Sequence, residues 1–84
     1  MIIEKVNPAK NPGYIENLLK EKSGEIIDCI EGVLLDSILI DSAAGYIAIM
    51  DTFVNSNMSI YTVYTAENET DNAAIFEMWG KYEQ

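Results

Sequence analysis

The runs VLLDSILID (33–41), YIAIMDTFV (46–54) and MSIYTVYTA (58–66) are separated only by SAAG (42–45) and NSN (55–57). Val, Ile, Leu and Tyr at this density, broken by clusters of Gly, Asn, Asp and Ser, read as strands joined by short turns. Two such turns predict an antiparallel three-stranded meander. Pairing Ser42 with Gly45 sets the first register and places Asp36 across from Asp51, among Leu34, Ile38, Ile40, Ile47, Ile49 and Phe53. Like charges opposite one another destabilise a sheet, and a carboxylate among aliphatic groups is costly unless it is hydrogen-bonded. Either the register slips or the pair lies at a wet edge, or the pair is retained because a cationic partner needs it. The other face would carry Val33, Leu35, Leu39, Met50, Val54, Met58, Ile60 and Tyr64, which is too apolar for water. Two helices are expected to cover one face only, which leaves the other to the N-terminal arm and residues 25–31, or to a second copy of the chain or a partner.

Outward from the meander, NPG (11–13) opens a helix, with Asn11 as N-cap and Pro12 at its first position. Ile15, Leu18 and Leu19 form its apolar stripe. Ser23-Gly24 ends it, with Gly24 expected in the left-handed conformation. Residues 1–6 read as a short strand or an ordered arm, broken by Asn7-Pro8. In 25–31, Glu25, Asp28 and Glu31 recur every third residue with Ile26, Ile27 and Ile30 between them, a pattern that admits a helical turn or a strand. NETD (68–71) launches a last helix with Thr70 as its N-cap, and Ile75, Met78, Trp79 and Tyr82 mark the buried side. The expected fold is a single α+β domain over 1–84, ordered helix, three-stranded sheet, helix.

The charge pattern carries the functional signal. Between Ser23 and Gly80 stand Glu25, Asp28, Glu31, Asp36, Asp41, Asp51, Glu67, Glu69, Asp71 and Glu77, with no Lys or Arg among them. Lys5, Lys10, Lys20 and Lys22 precede that stretch and Lys81 follows it; the formal net charge is −9. Such a field attracts cationic partners and repels nucleic acid and anionic membrane. At 49% hydrophobic residues, the chain is too apolar for a disordered acidic tail.

Most chemistry is missing from the composition. Without His there is no Ser–His or Cys–His nucleophile and no ordinary zinc site. There is no phosphate-cradling Gly-rich loop and no calcium loop, so no cofactor, no metal and no enzymatic activity are expected. No segment is apolar enough to span a bilayer, and the start MIIEKVNPAK lacks the features of a secretory signal. Cytoplasmic residence follows as the expectation, with Cys29 as a small buried hydrophobe.

A protein that occupies a DNA-binding groove must present carboxylates spaced like phosphates and no competing cations. Asp36, Asp41 and Asp51 on the sheet, with Glu67, Glu69 and Asp71 at the last helix start, are the candidate partner-binding charges. Tyr61 and Tyr64, with Tyr82, are candidate aromatic anchors between them. In size, acidity and element order the chain resembles the small acidic anti-CRISPR proteins of phages and mobile elements. The resemblance is one of pattern over the whole chain, with no shared motif. It implies an inhibitor that mimics DNA, blocks a guide-loaded Cas nuclease or similar nucleic-acid enzyme, and works inside a bacterial host cell. Two alternatives remain open: a homodimeric acidic interaction module, and an antitoxin or immunity protein against a basic nuclease.

Overall fold

A computed structural model describes all residues, 1–84. The elements are β1 (Ile2–Val6), α1 (Tyr14–Glu21), β2 (Glu25–Ile30), β3 (Ser37–Ser42), β4 (Gly45–Asn55), β5 (Met58–Thr65) and α2 (Glu69–Glu83). The domain is α+β, but its antiparallel sheet has five strands in the order β1-β5-β4-β3-β2, not three, and a strand precedes the first helix. The meander is the centre of that sheet. Its first register is the expected one: Ser42 pairs with Gly45, Ile40 with Ile47 and Ile38 with Ile49. The two additions are at the edges. β1 pairs with β5, Val6 opposite Tyr61, and β2 pairs with β3, Ile30 opposite Ser37.

Residues 25–31 look ambiguous in sequence because β2 contains a bulge. The register shifts between Ile26 and Asp28, so Ile27 is the extra residue and the alternation of faces is interrupted. Three-residue spacing of acids, which suggests a helical turn, is here a strand with one residue inserted.

The helices take one face each, rather than sharing one. Even positions of β3 and odd positions of β4 point to α1, where Ile38, Ile40, Ile47, Ile49, Val63, Val6 and Tyr61 form a core against Ile15, Leu18 and Leu19. The opposite set points to α2, where Leu39, Ala48 and Met50 pack with Ile75, Trp79 and Ala66. β1 and β2 lie at opposite edges, so the chain must cross a face between them, and α1 is that crossing. Its half-buried stripe contributes roughly 1 kcal/mol per side chain. No helix is long and apolar enough to cross a membrane.

Cap details differ from expectation. α1 starts one residue after Gly13, which adopts φ 73, and no side chain caps it. At its C-terminus Gly24 donates to Leu19 O at 2.8 Å and Ser23 to Lys20 O at 3.4 Å, the pair of bonds that closes a Schellman motif. The left-handed residue there is Ser23 (φ 52), not Gly24. Gly24 is small for another reason: a Cβ would lie 2.8 Å from the Ile40 Cγ2. α2 is capped by Asn68, whose side chain accepts from the Asp71 N–H at 2.9 Å, rather than by Thr70.

Candidate functional site

Strand pairing sorts the candidate charges to two ends of the sheet. At one end lie the β2–β3 loop, the β4–β5 hairpin and the β1–α1 segment. At the other lie the β3–β4 turn, the end of β5 and the start of α2. Asp36 and Asp51 belong to the first end, Asp41, Glu67, Glu69 and Asp71 to the second. Tyr46, the residue opposite Asp41, is five residues from Asp51 along β4, roughly 16 Å. The six carboxylates therefore do not form one patch.

At the second end, Asp41 stands directly opposite Glu25 on the neighbouring strand, with no cation bound to either. Glu67 and Asp71 are not free charges. The amino group of Met1 lies 2.9 Å from the Glu67 Oε1 and 2.9 Å from the Asp71 Oδ2. Hydrogen bonds to these two carboxylates raise the pKa of the amine. The same amine, with the Glu67 N–H donated to Asp71, holds the Asp71 carboxyl below its ordinary value. Glu69 stays exposed in the first turn of α2.

At the first end β4 and β5 outrun their neighbours. β3 pairs with β4 as far as Ile49, and β1 with β5 as far as Tyr61, while β4 and β5 continue together to Asn55 and Met58. The result is a two-stranded ribbon with both edges open and with Phe53, Val54 and Met58 exposed on it. The β2–β3 loop beside it exposes Val33 and Leu34 while Leu35 packs into the α1-face core.

Gly32 ties this loop to the candidate pair. Its N–H donates to Asp36 Oδ1 at 3.4 Å, and a Cβ on it would stand 2.8 Å from Asp51 Oδ2 and overlap the Leu35 carbonyl. Asp51 is further fixed by its own N–H, which donates to Ser37 Oγ at 2.9 Å. Its Oδ1 is buried without a hydrogen-bond partner, as is Ser59 Oγ. Tyr61, opposite Asp51, is a core residue at 7% exposure, and Tyr64 packs half-buried toward α2, so neither is an exposed anchor. Burial, then the charges of Asp36, Asp51 and Glu16, push the Tyr61 phenol above its ordinary pKa. A shallow cleft of about 180 Å³ lies beside it, between Pro8, Asn11 and the start of α1.

Cys29, expected to be buried, is exposed on edge strand β2. Partial desolvation, then the charges of Asp36, Asp28 and Glu31, raise its thiol pKa, which disfavours the thiolate. The residues that sequence reasoning missed are Ser59 and Gly32. Ser59 was legible only as a hydroxyl at a core-facing position of β5, and Gly32 only as a small residue between two acids.

Nowhere do three Asp, Glu or Cys side chains gather in a way that could hold a metal ion. What the first end offers is unneutralised carboxylate next to exposed apolar surface. No protein-family model, curated protein or solved structure matches this chain.

Proposed function

We propose that this chain is an acidic protein-binding inhibitor that occupies a basic, nucleic-acid-binding surface on its partner. The observation that carries the reading is the absence of internal neutralisation. Glu25, Asp28, Glu31, Asp36, Asp41 and Asp51 span β2 to β4, and none has an ion-pair partner. A surface of this kind repels itself and is stabilised when opposite charge arrives from outside. With the five-stranded, strand-first order found here, only size and acidity remain of the resemblance to DNA-mimicking anti-CRISPR proteins, and these support a guide-loaded Cas nuclease as the partner; an immunity function against a basic nuclease toxin shares the electrostatics. Self-association is the weaker alternative, because two copies would bring together surfaces of the same sign.

The test is a tagged pull-down from the lysate of a CRISPR-bearing bacterium, with and without competing duplex DNA, using the native chain and the Asp36→Lys/Asp51→Lys variant. The expected result is a basic nucleic-acid enzyme that DNA displaces and that the folded variant no longer recovers. Recovery indifferent both to DNA and to charge reversal would overturn the proposal.

A further inference from the structure

The side-chain oxygens buried without a hydrogen-bond partner, Asp51 Oδ1 and Ser59 Oγ, lie on the α1 face at the ribbon end. Asp51 opposes Tyr61 and Ser59 opposes Phe53, so the two occupy one diagonal of the same face. Ser59 is only 8% exposed. Buried polar groups are nearly always satisfied, so these two oxygens leave hydrogen-bonding capacity for water or for a group supplied from outside. Around them the surface is apolar: Phe53 is 55% exposed, Val33 80% and Leu34 44%. Asp36 is exposed and Asp51 partly so, although Asp51 Oδ1 and Ser59 Oγ are themselves covered, so a partner reaches the Asp36 and Asp51 carboxylates at their exposed side. The ammonium of Lys5 is committed to Thr62 Oγ1 at 2.7 Å.

We infer that the ribbon end docks a cationic, amphipathic segment of a partner protein. A Lys or Arg of that segment meets Asp36 and Asp51, and its apolar neighbours cover Phe53, Val33 and Leu34. The inference rests on the reading of the chain as a binder of basic protein surfaces, and it adds where the contact lies and that it is apolar as well as ionic. Charge complementarity selects this occupant. A second copy docked by a two-fold contact here would set Asp36 and Asp51 against themselves.

Two synthetic helical peptides of equal positive charge, one of Lys and Leu and one of Lys and Gln, test this by amide chemical-shift titration of the full chain. The Lys/Leu peptide is expected to bind about tenfold tighter, the gain from covering one large apolar side chain. Its shifts should centre on Gly32, Leu34, Asp51, Phe53 and Ser59, and Phe53→Ser should erase its advantage while leaving the fold intact. Equal affinity of the two peptides, or shifts centred on Glu25, Asp41 and the start of α2, would overturn the docking site and leave the charge-based reading standing. Failure of both peptides to bind at low salt would overturn both.

Discussion

Asp36 and Asp51 converge on the backbone of Gly32, the first accepting its N–H at 3.4 Å and the second placing an oxygen 2.8 Å from where a Cβ would stand. No cation bridges them, and one oxygen of Asp51 is buried without a partner. Two like charges held together by a loop raise the free energy of the isolated domain. Asp51→Asn is therefore expected to stabilise the fold by ~0.2–1 kcal/mol, the scale of a like-charge contact between neighbouring side chains of a sheet, here between a loop residue and a strand residue. Urea denaturation measures it, and the gain should shrink at 1 M salt, where charges are screened. The same variant should bind cationic partners less well. A variant less stable than the native chain would mean that the charge at Asp51 is structurally required.

Gly32 itself has no room for a side chain. Gly32→Ala sets a methyl against the Leu35 carbonyl, so a loss of ~1–3 kcal/mol is expected on thermal unfolding. An unchanged midpoint would show that the loop shifts freely.

Cys29 is accessible yet surrounded by carboxylates. Its alkylation at pH 8 should be slower than that of a small free thiol, and Asp36→Asn should accelerate it by removing a nearby negative charge. Equal rates in the two proteins would separate Cys29 from the Asp36 pair.

Trp79, the only tryptophan, donates its indole N–H to Asp28 Oδ2 at 2.9 Å. That bond, followed by one with Glu83, lowers the pKa of Asp28; the bond with Asp28 raises that of Glu83 above 4.5. The two have opposite signs. Asp28 stabilises the fold above its ordinary value of 3.8, and this is lost as pH falls through its lowered value. Glu83 stabilises below 4.5, and this is lost as pH rises through its raised value. The end of α2 should thus be held most firmly between those limits. Trp79 fluorescence should change on either side of them, and Glu83→Gln should remove the alkaline limb alone.

Ser23 holds the left-handed position at the end of α1 at φ 52. Ser23→Gly is expected to stabilise by about 0.5–1 kcal/mol, because glycine enters that conformation without the Cβ penalty. A lower melting temperature would show that the serine side chain contributes something the backbone does not reveal.

How far each feature was legible follows from how local its cause is. The register of the β3–β4 hairpin could be read from SAAG and the alternation around it, but its pairing stops at Ile38 and Ile49, so Asp36 and Asp51 meet at Gly32 rather than as the expected cross-strand pair. The stripe of α1 was equally plain in Ile15, Leu18 and Leu19. The bulge at Ile27 hid β2, since one inserted residue destroys the period of two on which recognition of a strand depends. The caps failed for a different reason: Asn11, Asn68 and Thr70 all have side chains suited to capping, and only backbone geometry chooses among them.

The sequence by itself determined the central meander, the two helices and the unneutralised charge, because each depends on neighbours within a few residues. Tertiary structure alone decided that Ile2 pairs with Thr65 and that β2 joins β3, turning three strands into five. It also decided that each helix covers its own face, that Tyr61 is core rather than anchor, and that Glu67 and Asp71 meet the Met1 amine. Edge pairing is governed by loop closure and by burial against elements far away in the chain, and no local pattern of residues encodes either.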